Sequence, residues 1–287
     1  MPNLYIRLPV LRARLNIETR IEDALLLEQA EIASRELDQR TGRQFFASIA
    51  TRYIDGSGSR DLALDGDLLS LSAVATDSAG DGTFATSLVE GTDYLPMYSA
   101  EQYSAPVSTA CYRLLRLTTY LGGDLAVWPV GPRMVRITGT WGYSATEETV
   151  ITGLGAAVTV ADNPLSAGAS SLTVPDDRDA LAVGDSLLIG TEEIFVSAIR
   201  GTTATVTRGV NGTTAAAHIL GTAIRRRTYP WVAQQYVLER VSRRFRREQT
   251  GFAMLGGGDG GSSGYGVTSW RELEDLQRQL MVGHGIG

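Results

Sequence analysis

Between Arg133 and Ser144 the chain reads RMVRITGTWGYS, in which Met134, Arg136, Thr138 and Thr140 alternate with Val135, Ile137, Gly139 and Trp141. A period of two sends the two sets to opposite faces, so the stretch predicts a half-buried strand. Similar short runs, broken by Asp55-Gly56-Ser57-Gly58, Asp65-Gly66-Asp67 and Gly80-Asp81-Gly82, predict strands over 48–54, 68–77, 84–88, 94–98 and 112–117. A helical period replaces this one over 16–42. There Ile21, Leu25, Ala30, Ala33 and Leu37 share a face, Thr19 and Glu22 have capping-box spacing, and Gly42 stands where a left-handed C-cap belongs. A shorter helical segment over 10–15 precedes it.

Residues 149–227 have another texture, rich in Thr, Ala, Gly and Val, with strands expected over 171–174, 186–189, 193–199, 203–208 and 223–225. Strands at such short intervals suit a small sandwich or barrel-like β module. Helical spacing returns at Pro230 and runs to about Glu248, with Ala233, Val237, Val241 and Phe245 four apart. Residues 251–266 are too glycine-rich to pack and read as a flexible loop, and a last helix is expected over 269–281. The fold class expected is therefore α+β: long helices on a small antiparallel sheet, plus an inserted all-β domain.

Composition narrows the function. The net charge of −6 opposes a surface that grips nucleic acid throughout, and all the basic residues are arginine, there being no lysine. No apolar run reaches the roughly 18 residues that span a bilayer, and the N-terminus lacks the layout of a signal peptide, which together predict a protein made in a cytoplasm. Cys111, the only cysteine, is expected as a small buried hydrophobe.

Catalytic chemistry is hard to find. His218 and His284 have no partner at ligand or general-base spacing. The carboxylates of Asp61, Asp65 and Asp67, and of Asp176, Asp177 and Asp179, lack the length and terminal Glu of a calcium loop, and Glu192 and Glu193 point to opposite faces of their strand. No enzymatic activity, cofactor or metal is expected. One charge cluster stands out: Arg225, Arg226 and Arg227, then Arg240, Arg243, Arg244, Arg246 and Arg247. It reads either as a solvated face offset by acidic neighbours or as a docking surface for an acidic partner or passing DNA.

The amphipathic helix ending in Thr41-Gly42-Arg43, the EGTDY turn from Glu90 to Tyr94, the strand ending in ITGTWGYS from Ile137 to Ser144, and the later helices resemble the head-to-tail connector (adaptor) proteins of long-tailed double-stranded DNA bacteriophages. The resemblance covers 10–145 and 228–282. It implies a helical connector core, discontinuous over 1–148 and 228–287, with 149–227 as the inserted β domain. It also implies a virion neck protein: a ring, usually of about twelve copies, that binds the portal, encloses the channel through which DNA passes without sequence-specific contact, and receives a head-closure or tail-terminator protein, with no membrane involved. Gly251, Phe252, Tyr265 and Trp270 become candidates for portal docking, and Trp141 and Tyr143 mark the core. The alternatives are a head-closure or tail-completion role in the same assembly, or carbohydrate or host-surface binding through 149–227.

Overall fold

A computed structural model describes residues 3–98, 111–175 and 180–249. The chain forms two compact units, one of 1–41, 147–210 and 214–287, the other of 42–146 with 211–213. The expected α+β connector core does not form. The molecule is mostly β, with two six-stranded antiparallel sheets and three helices among the described residues. The segments between 48 and 141 join into one large sheet rather than a small one beneath helices, because a single long strand bridges most of them. Among the described residues the three helices fall in the same unit as the second sheet, and the 42–146 unit is built of strands.

The 42–146 unit contains β1 (Ser48–Ser57), β2 (Asp61–Thr76), β3 (Thr86–Leu88), β4 (Tyr94–Tyr98), β5 (Tyr112–Leu117) and β6 (Val130–Trp141). The order is β1-β6-β2-β5-β4, with β3 also on β2. The alternation that predicts β6 is borne out: Val135, Ile137 and Trp141 are fully buried and pack with Leu62, Leu68, Leu115 and Trp128. β6 lies between β1 and β2, pairing Ile137 with Arg52 on one side and with Val74 on the other. The EGTDY residues form the turn into β4, where the Asp93 carboxylate accepts the Val89 N–H at 2.7 Å.

The other unit holds α1 (Leu8–Leu15), α2 (Asp23–Thr41), β7 (Glu147–Thr149), β8 (Ser171–Thr173), β9 (Ser186–Ile189), β10 (Glu192–Arg200), β11 (Thr203–Thr207), β12 (Ile224–Arg227) and α3 (Trp231–Gln249). Its sheet runs β7-β12-β9-β10-β11-β8 over a core that includes Leu172, Leu187, Ile194, Val196 and Ile224. The predicted helix over 16–42 is shorter in fact. Asn16 adopts the left-handed conformation that ends α1, and Thr19 bonds the Glu22 carboxylate instead of capping backbone, so α2 starts at Asp23. Its far end is as expected, with Gly42 at φ 63°. α2 buries Leu26, Ala30, Ala33 and Leu37; α3 buries Ala233, Val237, Val241 and Phe245, the four-residue spacing read from the sequence. The glycine-rich loop over 251–266 and the helix over 269–281 lie outside the described residues.

Candidate functional site

The arginine cluster is the most prominent sequence candidate, and the structure shows what occupies it. Arg240 on α3 forks onto Glu36 of α2, with Nε and Nη2 donating at 2.9 and 2.6 Å, and Arg244 Nη2 donates to the same carboxylate at 3.0 Å. Burial acts to raise the Glu36 pKa, but these guanidinium bonds outweigh it and hold it below the usual range. Arg225 pairs with Glu147, and Arg226 with Glu148 and, at 3.5 Å, with Asp185. Arg227 lies 3.4 Å from Glu193. Arg243 is half-buried and Arg246 exposed on α3, while the side chain of Arg247 is outside the described residues. The cluster thus joins α2 to α3 and β7 to β12, and its charge is largely answered within the unit. Arg240→Ala should lower the stability of this unit by about 1.5–3 kcal/mol, the worth of hydrogen bonds to a charged group, read from denaturant melts.

A cleft of about 250 Å³ opens in the same unit, lined by Tyr5, Arg7, Asp185, Arg227, Tyr229 and Gln234 among others. Arg7 donates from Nε and Nη2 to both oxygens of Asp185 at 3.2 Å, and Asp185 also accepts the Ala182 N–H at 3.0 Å. The two carboxylates in this wall are held by guanidinium groups, Asp185 by Arg7 and Glu148 by Arg226.

Sequence reasoning missed a buried constellation at the base of the loop after β11. Glu192 is fully buried and accepts from Arg208 Nε and Nη2 at 2.6 and 2.7 Å and from the N–H groups of Gly209 and Ala216. His218 Nε2 lies 2.8 Å from the same carboxylate, so the expectation that His218 stands alone is corrected. Burial alone would raise the Glu192 pKa, but the bonds from Arg208, Ala216 and His218 hold it down at about 2. The group is sealed from solvent and acts as a clamp on the chain over 208–218.

Two of the resemblance segments meet in the 42–146 unit, through Arg43 on one side and Gly142 and Tyr143 on the other. Tyr143 N–H donates to Gln44 O at 2.7 Å, the Arg43 guanidinium lies 4.9 Å from the centre of the Tyr143 ring, and the Phe45 ring is edge-on to it at 5.4 Å. At Gly142, φ 143°, a Cβ would fall 2.3 Å from Phe46 O, so no side chain fits. Beneath this joint lies Asp67, which accepts from Arg113 at 2.9 Å and from the buried Cys111 thiol at 3.2 Å. Asp61 and Asp65 bond Arg116 and Arg52 rather than converging with Asp67. Among the described residues no group of three or more His, Cys, Asp or Glu could hold a metal ion. Asp176, Asp177, Asp179 and His284, with the docking candidates Gly251, Phe252, Tyr265 and Trp270, lie outside the described residues. No family model, characterised protein or solved structure matches the chain.

Proposed function

We propose that this protein is a structural adaptor of the neck of a long-tailed bacteriophage: a ring subunit that joins the portal to the next neck or tail protein and lets DNA pass. The observation that carries the reading is the joint of Arg43, Gln44 and Phe45 with Gly142 and Tyr143. Arg43 of the Thr41-Gly42-Arg43 segment and the two residues that follow it pack against Gly142 and Tyr143 of the ITGTWGYS segment, so two stretches that resemble connector proteins adjoin. The paired arginines of α3 and β12 are a second support, since guanidinium groups answered by carboxylates of the same acidic chain hold a passing polyanion less firmly than free ones.

The reading predicts that the purified chain, alone or with the portal protein of the same virus, forms a closed oligomer of one stoichiometry in native mass spectrometry and in particle images. A strict monomer that does not bind the portal would overturn it.

A further inference from the structure

The two edges of the first sheet are built differently. On β4, backbone bonding to β5 falls at the odd-numbered residues, as shown by Thr118 N–H donating to Asp93 O at 2.8 Å, so Tyr94, Pro96 and Tyr98 face outward. Pro96 has no N–H to offer there, which closes that edge to a further strand. β1, at the other edge, has no proline or bulge before Ile54. Its even-numbered residues face β6, and its outward positions are Ile49, Thr51 and Tyr53. The first of these is already answered: Ile49 N–H donates to Asn211 O at 2.8 Å. Thr51 and Tyr53 have no backbone partner on their outward side among the described residues, and both are exposed.

The ground beside these open positions is cationic and aromatic. The Arg133 guanidinium lies 4.5 Å from the centre of the Tyr53 ring, Tyr53 leans on Phe84 at 5.4 Å, and Arg136, opposite Tyr53 on β6, lies 5.0 Å from the Phe84 ring. Neither arginine has a carboxylate within ion-pair distance among the described residues, unlike those of α3 and β12. The nearest acid shown is Asp55, whose carboxylate accepts the backbone N–H of Arg133 at 2.8 Å.

We propose that the β1 edge is a docking site for an acidic extended segment of a partner protein. The segment adds as a strand beside Thr51 and Tyr53 and sets its carboxylates against Arg133 and Arg136. The open N–H and C=O groups supply the register, and the two guanidinium groups supply the preference for acidic side chains. The exposed Ile49 and Tyr53 side chains give an apolar partner to alternate residues of the incoming strand. This inference rests on the first sheet alone and stands whether or not the neck reading does.

The test uses the full chain and a labelled peptide of alternating glutamate and valine capped by threonines, with fluorescence anisotropy as the readout. The expected result is saturable binding that weakens at least tenfold when lysine replaces glutamate in the peptide, and by a similar factor in the Arg133→Glu/Arg136→Glu double variant. N-methylation of alternate peptide amides should abolish binding in one phase of alternation and spare it in the other, a control that does not depend on how a variant folds. Thr51→Pro should also abolish it. The proposal is overturned by no saturable binding up to millimolar peptide, by equal binding of the glutamate and lysine peptides, or by indifference to N-methylation. It is also overturned if a single-stranded oligothymidine binds more tightly than the peptide, or if β1 is consumed by a dimer of the chain that the double variant dissolves.

Discussion

Replacing Glu192 by alanine should lower the stability of its unit by about 3–5 kcal/mol, because it leaves a desolvated guanidinium with no counter-charge. Arg208 spends its donors on Glu192 and on the carbonyls of Ser166 and Ala216, with only 7% of its side chain exposed. Once the carboxylate is gone, water cannot reach that charge without opening the loop. The Gly209 and Ala216 N–H groups lose their acceptor at the same time. Denaturant melts of Glu192→Ala, Arg208→Ala and the double variant separate the pair from its surroundings. The double variant is expected to be less damaged than the sum of the singles, since removing both charges removes the orphan.

The same clamp sets an acid limit. The Glu192 pKa is about 2 in the fold and about 4.3 in an unfolded chain. A folded value below the unfolded one means that the contribution is fully present above about pH 4.3 and is lost as pH falls towards 2. Wild-type melts should therefore steepen in their pH dependence in that window, and a Glu192→Gln protein should lack this component.

Trp141→Ala should cost the other unit a comparable amount, about 3–5 kcal/mol, as for other buried aromatic truncations. The ring is fully buried on β6, its Nε1–H donates to Ala50 O at 3.1 Å, and the Arg52 guanidinium lies 4.2 Å from its centre. Truncation empties the place where β1, β6 and β2 share a core and orphans a backbone acceptor. Trp141→Phe keeps most of the volume and should lose much less. Amide exchange across β1 and β6 distinguishes this from a global effect, since protection should fall there first.

Strand positions bounded by clear turns were legible in the chain. The segments 94–98, 112–117 and 186–189 fall at the predicted bounds, the first soon after Gly91 and the last between Gly184 and Gly190. Asp65-Gly66-Asp67 misleads, because it has the composition of a turn but lies inside β2, where the register shifts between Ala63 and Leu68 and the strand continues. Reading it as a break shortens the strand that unites the sheet, and the sheet then looks too small. β7 carries no pattern at all: Glu147, Glu148 and Thr149 are exposed, and the strand exists because β12 pairs with it.

The ion pairs were illegible for a different reason. Glu36 and Arg240 are 204 residues apart, and Glu147 meets Arg225 across 78. Charge clustering in sequence reveals the arginines and hides their partners. Glu192 and His218 are closer, but only the fold of the chain over 208–218 turns the imidazole towards the carboxylate. A charged residue beginning an apolar run such as Glu193-Ile194-Phe195-Val196 is the one signal that could have pointed inward.

The fastening of Gln44 to Tyr143 also bears on how such a chain can change over time. Apart from residues 211–213, the whole of the first sheet is delivered between two points of the backbone that lie side by side. A segment that leaves and returns at neighbouring points behaves like a cassette. Its interior can lengthen, shorten or be exchanged while the helices and the second sheet keep their connections, provided the doorway at Gln44 and Tyr143 is preserved.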